Sequence, residues 1–190
     1  MLYPDFFDNI EPIELQDPLA DILGVCEHGE YNISYMEVVK GAGHSCPTVA
    51  GAYLMTQAAL QALYPDERAV RGNIDVSFAE SLEEGVAGVI ANVVTYITGA
   101  TDKSGFKGLG GKFARHSLMH FNADINASAR FTRKDTGKTI DVTYNPSSIP
   151  ADPQMMEMMQ RDVEQFGQMW QDRVKRIFEN AQDVIVVTEP

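Results

Sequence analysis

Two residues that could do chemistry lie close together in GAGHSCPTVAGAY, residues 41–53, where one serine separates His44 from Cys46. Pro47 follows directly, and proline is favoured at the first helical position because its missing N–H would be unpaired there. This places Cys46 at the N-cap of a helix, where free N–H groups and the helix dipole favour a thiolate over a thiol. A thiolate binds metals and attacks electrophiles, so His44 and Cys46 are candidate metal ligands and candidate catalytic residues.

The His-Cys pair has three interpretations. A neutral His44 beside a thiolate supplies two ligands for zinc or iron, whereas structural zinc needs four protein ligands and catalytic zinc usually three. A protonated His44 would instead activate Cys46 as a nucleophile or redox thiol. The third interpretation is structural, with Cys46 packed as a small hydrophobic side chain and His44 capping a turn.

Further side chains could add ligands or acid–base groups: Cys26, His28, Asp75, Glu80, His116 and His120. The stretch CEH mirrors the spacing of HSC, but its cysteine follows the apolar ILGV as a core residue would. The two histidines of HSLMH would share a face in either a helix or a strand. Solvent-exposed side chains are the alternative for these histidines and for the two acidic residues.

A glycine-rich stretch, TGATDKSGFKGLGGK, is predicted to be a loop. Lys103, Lys107 and Lys112 could donate to a small anionic ligand there. The stretch is not a P-loop, because Phe106 stands where the first glycine is required and Phe113 follows the lysine in place of Ser or Thr. A surface loop without a ligand is the alternative.

The elements that must position these residues are predicted from caps and periodicity. Asp17 before Pro18 starts a short helix, and Ser34 with Glu37 has the spacing of a capping box. Residues 47–63 are predicted to form a helix whose first half is buried, because that half is small or apolar on nearly every side. GVAGVIANVVTYITG is predicted to be a second buried helix.

Strands are predicted where apolar and polar residues alternate. Ile74, Val76 and Phe78 form the buried face of one strand, and RKDTGK is the turn of a later hairpin. Beyond residue 152 one continuous helix is predicted from an apolar stripe at steps of three and four: Met155, Met159, Val163, Phe166, Trp170, Val174 and Ile177. That stripe suits either a subunit interface or intramolecular packing.

Together these elements predict an α+β fold, with an antiparallel sheet packed against helices and a long C-terminal amphipathic helix. We expect a single domain over residues 1–190, with a core at about 17–148 and a helical extension at 152–181.

The composition excludes some classes of function. A net charge of −12 and an isoelectric point near 4.6 argue against nucleic-acid binding and against docking on anionic membranes. The first residues lack a basic segment and an apolar run, so no signal peptide is expected, and no stretch approaches a membrane span. Two cysteines do not make a disulfide framework, and a cytoplasmic protein is expected.

Three stretches in this order, GHSCPTVAGAYLM, ITGATDKSGFKGLGGKF and DTGKTIDVTYNP, resemble the FmdE family of formylmethanofuran dehydrogenase proteins. The family signature is His-Gly-His-x-Cys-Pro-Gly opening a helix, followed by Thr-Gly-(Cys/Ala)-Thr and a glycine-containing loop. The likeness covers about residues 34–146. It implies an α+β fold, a homodimer, and a cleft lined by the histidine and the cysteine.

The resemblance carries over onto named positions. His44, Cys46 and Pro47 match the second histidine, the cysteine and the proline of the signature, and residues 98–101 match the Thr-Gly segment. The first signature histidine is matched by Ala42 and the last glycine by Thr48. The positions of a frequent Cys-Ala-x-Asp segment hold Val89 and Asn92. A C-terminal zinc ribbon, which many members carry, has no counterpart here.

The resemblance implies a metal-binding protein, zinc or iron, that assists a molybdenum- or tungsten-dependent or other redox pathway, with His44 and Cys46 as ligands. Two alternatives stay open. One is a thiol-based enzyme with Cys46 as nucleophile or redox thiol, and the other is a non-catalytic interaction protein that works through its C-terminal helix.

Overall fold

The computed structural model describes residues 3–190, which form helices packed on two β-sheets. The strands are β1 (Ile13–Gln16), β2 (Glu30–Ile33), β3 (Ala69–Val70), β4 (Ile74–Phe78), β5 (Met119–His120), β6 (Ala129–Arg133), β7 (Thr139–Tyr144) and β8 (Ile185–Thr188). The α-helices are α1 (Pro18–Ile22), α2 (Tyr35–Ala42), α3 (Pro47–Leu63), α4 (Ala87–Thr98), α5 (Met155–Arg161), α6 (Val163–Glu179) and α7 (Ala181–Val184). The predicted α+β class is confirmed.

The helix starts follow the predicted capping chemistry. The carboxylate of Asp17 accepts the N–H groups of Leu19 and Ala20 at the start of α1. Ser34 and Glu37 form the complete capping box of α2. These bonds satisfy backbone N–H groups that have no partner inside a helix, so local sequence alone sets both boundaries.

The larger sheet has the strand order β5-β4-β6-β7-β8, and the smaller has the order β2-β1-β3. Neighbours in the larger sheet run antiparallel except β4 and β5, so the predicted antiparallel sheet carries one parallel edge strand. A parallel pair needs a long crossover, and α4 with the glycine-rich loop supplies it. The predicted hairpin is β6–β7, in which Phe131 lies opposite Ile140.

The core lies between the larger sheet and α3. Ile74, Val76 and Phe78 turn to this side of β4 and are buried, as their alternation predicts. Helix α3 packs against α4, α6 and β7, and residues 49–56 are all buried, as predicted for its first half. Burial on every side explains why this first half lacks a polar face, whereas the second half carries the less buried Gln57 and Gln61.

A buried ion network joins distant segments. Asp17 accepts from Arg71 at 2.7 Å and from Arg115 at 2.6 Å, and the Arg71 side chain also donates to backbone carbonyls at the end of α4. Gly72 and Gly99 have positive φ and lie against the Arg115 guanidinium, where a Cβ atom would collide with it. The network therefore anchors the end of the glycine-rich loop beside α1 and α4.

The C-terminal helix differs from the continuous helix that was predicted. It is divided at Asp162, whose extended backbone ends α5 and whose carboxylate accepts the N–H of Gln165 to start α6. The apolar stripe divides too: Val174 and Ile177 are fully buried, whereas Met159 and Val163 are exposed. An N-cap residue prefers non-helical backbone, which the apolar periodicity does not reveal. No helix in residues 3–190 is long and apolar enough to cross a membrane.

Candidate functional site

Cys46 occupies the N-cap of α3, as predicted. Its Sγ accepts the N–H of Val49 at 3.4 Å, and its carbonyl accepts the N–H of Ala50 at 2.9 Å. The residue is only 8% exposed. The thiol is therefore committed to capping the helix and is largely shielded from solvent.

The C-terminal helix fixes the residue before Cys46. The carbonyl of Ser45 accepts the indole N–H of Trp170 at 2.9 Å and the side-chain amide of Gln171 at 3.2 Å. The hydroxyl of Ser45 lies 2.9 Å from that of Tyr35. Burial raises the pKa of Tyr35, so this hydroxyl stays protonated at neutral pH. Helix α6 thus packs over the HSCP segment and restrains it through two hydrogen bonds to Ser45.

A second tyrosine supports the other side of this segment. The hydroxyl of Tyr144, in β7, donates to the carbonyl of Pro47 at 2.7 Å. Its ring lies so close to Gly51 that a Cβ atom at position 51 would collide with it. Glycine at this point of α3 is therefore what lets the sheet approach the start of the helix.

His44 lies at the edge of a cavity of about 220 Å³ between α2 and α4. This cavity, here called the His44 cavity, is lined by Val38, Gly41, Ala42, His44, Val89, Asn92, Val93 and Tyr96. Cys46 is not among the lining residues. The two candidate site residues are thus neighbours in sequence but face different surroundings.

The imidazole of His44 is oriented by the backbone. Its Nδ1 lies 3.1 Å from the carbonyl oxygen of Ala42. A carbonyl only accepts, so Nδ1 carries the hydrogen, and in the neutral ring Nε2 is then a free acceptor. The ring is exposed, so Nε2 is accessible to a ligand.

Helix α4 supplies the opposite wall of the His44 cavity. Val89, Asn92 and Tyr96 follow at steps of three and four, so they lie on one face of the helix. Burial raises the pKa of Tyr96, and the nearby carboxylate of Glu37 adds to that shift. The phenol therefore stays neutral and can donate a hydrogen bond, while the amide of Asn92 can donate and accept.

Three of the four departures from the resembled motifs meet in this cavity. Ala42, Val89 and Asn92 replace a histidine, a cysteine and an aspartate of those motifs, and all three line the His44 cavity. Motif positions nearly fifty residues apart in sequence therefore converge in space. The sequence had not indicated Tyr96 as a residue of this cavity, although its helical spacing from Val89 and Asn92 was a usable signal.

The other candidates do not join His44 or Cys46. The imidazole of His120 lies 3.0 Å from the carboxylate of Asp75, and that of His116 lies 3.0 Å from the hydroxyl of Ser117. His28 is exposed and lies 3.7 Å from the carboxylate of the neighbouring Glu27. Across residues 3–190, no group of three or more His, Cys, Asp or Glu side chains could hold a metal ion.

The glycine-rich stretch is a loop, as predicted. An isolated bridge pairs Leu109 with Lys112 at its tip. The ammonium group of Lys107 donates to the carbonyl of Lys103 at 2.6 Å, so this lysine already has an internal acceptor. Binding of an anionic ligand by the loop stays a prediction.

In comparisons with known proteins, no family model matches this chain, and no curated protein sequence matches it. Its function must then be inferred from its residues and their geometry.

Proposed function

We propose that this protein is an FmdE-like domain whose working site is the His44 cavity, and that it binds a small polar molecule there. The observation that carries the proposal is the convergence of Ala42, His44, Val89 and Asn92 on one cavity. These are the positions at which the resembled motifs hold side chains able to bind a metal. Convergence of positions from two separate motifs supports a common cleft.

A zinc or iron ion, the cofactor that the resemblance implies, does not fit the residues present. His44 offers one imidazole nitrogen and Asn92 one amide oxygen, whereas Ala42 and Val89 have no donor atoms. Catalytic zinc usually takes three protein ligands, and Cys46 lies outside the lining. A single chain therefore has the His44 cavity but lacks a complete set of metal ligands around it.

A small polar ligand fits better. Nε2 of His44 accepts a hydrogen bond, the hydroxyl of Tyr96 donates one, and Asn92 can do both. Val38 and Val93 supply apolar walls, and a volume of about 220 Å³ admits a small molecule of up to roughly ten heavy atoms, since a cavity of about 150 Å³ holds benzene. A compact amide or carboxylic acid has this combination of groups. His44 could also accept a proton from the bound molecule, which leaves acid–base chemistry open to this site.

The test is a nuclear magnetic resonance titration with acetamide, combined with metal analysis of protein purified without chelators. We expect amide shifts confined to α2 and α4, lost in His44→Ala and Asn92→Leu and retained in the matched control His116→Ala. We also expect metal well below one equivalent. Stoichiometric zinc or iron that is lost in His44→Ala would contradict the polar-ligand proposal. An absence of any shift would contradict binding at this cavity.

A gain-of-function variant tests the placement independently. Ala42→His, Val89→Cys and Asn92→Asp together would add three donors to His44 around the same cavity. We expect this triple variant to bind about one equivalent of zinc, since four protein donors meet the requirement of a closed site. The same variant with His44→Ala should bind zinc more weakly. No gain in zinc would show that the four positions do not form one site.

The homodimer, the cytoplasmic location and the link to a redox pathway stay predictions. Met156, Met159 and Val163 are 60%, 47% and 73% exposed, and such apolar exposure supports a second copy covering this face. Sedimentation analysis of wild type and Met159→Glu tests it. A dimer that dissociates in the variant supports the proposal, whereas a monomeric wild type contradicts it.

A further inference from the structure

A second and larger cavity, of about 450 Å³, lies where the N-terminal ends of α3 and α4 meet the last residues of β4 and β7. Glu80 borders it, and it is here called the Glu80 cavity. Among the described residues it shares no lining residue with the His44 cavity, so the two are separate. Its volume falls within the ~300–1,000 Å³ of typical small-molecule pockets.

The walls of the Glu80 cavity are mainly apolar. Phe78, Val86, Ile90 and Ile125 line it, and the ring of Phe78 is held by stacking on Phe121 at 5.4 Å between centroids. An apolar ligand body placed against these side chains would remove their surface from water, which favours binding. The cavity therefore suits a molecule with a compact hydrophobic body.

The charge of the lining is one-sided. Of the lining residues in the described chain, Glu80 alone is acidic, and none is Lys, Arg or His. Within residues 3–190 the Glu80 carboxylate has no ion-pair partner. Burial raises the pKa of Tyr144, so this phenol adds no charge, and it already donates to Pro47. A cationic group on a ligand would thus meet an unpaired carboxylate.

The helix ends at this cavity offer little to an anion. Pro47 has no N–H, and the N–H groups of Val49 and Ala50 are taken by Cys46, which leaves the N–H of Thr48 at this end of α3. At the start of α4 the N–H of Ala87 donates to the backbone carbonyl of Glu84. The N–H groups of Val89 and Ile90 both donate to the carbonyl of Val86. With most of these donors occupied, no Lys, Arg or His in the lining and Glu80 repelling negative charge, a carboxylate or phosphate is disfavoured.

We propose that the Glu80 cavity binds small primary amines with an apolar body. The ammonium group pairs with Glu80, and the body packs against Phe78, Ile90 and Ile125. Hydroxyl oxygens of Thr48 and Thr143, which also line the cavity, are acceptors for the remaining ammonium hydrogens. This site is independent of the function proposed for the His44 cavity.

Three probes of the same shape but different charge test this inference: benzylamine, benzyl alcohol and benzoate. Titration calorimetry of the full chain at pH 7 should rank benzylamine first and benzoate last. Glu80→Gln should weaken benzylamine about two- to fivefold, the equivalent of ~0.4–1 kcal/mol, because Glu80 is exposed and its ion pair is screened by solvent, and it should leave benzyl alcohol unchanged. Glu83→Gln is the matched control, because Glu83 is an exposed carboxylate nearby that does not line the cavity.

A second variant distinguishes binding inside the Glu80 cavity from a charge effect at the protein surface. Ala87→Leu puts bulk into the cavity from the start of α4, and it should weaken benzylamine and benzyl alcohol alike. His44→Ala should leave both unchanged, so a failure at one cavity is distinguishable from a failure at the other. Benzoate binding more tightly than benzylamine, equal affinities in wild type and Glu80→Gln, or no binding of any probe would each overturn the proposal.

Discussion

Replacing Asp17 by asparagine isolates the charge of the buried ion network. The wild-type carboxylate is 6% exposed and neutralises Arg115 and Arg71, whose side chains are 8% and 18% exposed. Asparagine keeps a side-chain oxygen that can cap α1, since Asn and Asp are comparable N-cap residues. Asp17→Asn therefore removes the charge, leaves two adjacent guanidinium groups without an anion, and preserves the helix start.

The expected loss is large. Breaking one partner of a buried ion pair typically costs ~3–5 kcal/mol, because the remaining charge is left uncompensated. For a domain of this length ~1 kcal/mol shifts Tm by about 2–4 °C, so the variant should melt roughly 6–20 °C below wild type. Burial by itself raises the pKa of Asp17, but Arg115 and Arg71 outweigh burial and hold the folded pKa of this carboxyl below its ordinary value.

A lowered folded pKa fixes the sign of the pH dependence. The stabilisation by Asp17 is complete above the unfolded pKa and is lost as the pH falls through the lower folded value. The difference in Tm between wild type and Asp17→Asn should therefore be largest near pH 7 and should decrease under strongly acidic conditions. Thermal and urea unfolding at several pH values measure it, with the exposed Asp66→Asn as control. If Asp17→Asn lowers the free energy of unfolding by less than ~1 kcal/mol at pH 7, Asp17 does not compensate the charges of the two buried guanidinium groups.

Three further predictions concern the segment around Cys46 and the helix before it. Gly51→Ala should destabilise the protein by up to ~2 kcal/mol in urea unfolding, because collision with Tyr144 costs about 1–3 kcal/mol and helix propensity returns ~1 kcal/mol; a more stable variant would contradict the packing. Trp170→Phe removes the indole N–H that donates to Ser45 in the HSCP segment. Loss of this hydrogen bond, worth ~1 kcal/mol, should speed alkylation of Cys46 about fivefold, as measured by mass spectrometry. An unchanged rate would show that α6 does not protect the thiol. Ser34→Ala should lower the free energy of unfolding by ~1 kcal/mol through loss of the capping box, a change that urea unfolding resolves.

The local elements were predictable because their determinants are local. The N-caps at Asp17, Ser34 and Cys46, and the alternation in β4, depend on residues within one turn or one strand of each other. Apolar composition with few helix breakers also identified α3 and α4 as buried helices. The apolar periodicity of the C-terminal stripe missed the division at Asp162, because an N-cap inside such a stripe does not interrupt it.

The candidate site was predictable only in part. The sequence by itself determined the helix start at Cys46 and the departures at Ala42, Val89 and Asn92, since both are read residue by residue. Only the tertiary structure decided that His44 shares a cavity with those three positions, while Cys46 is buried outside that cavity. The physical reason is that α2 and α4 meet through side-chain packing across the core, a long-range contact that no local spacing encodes.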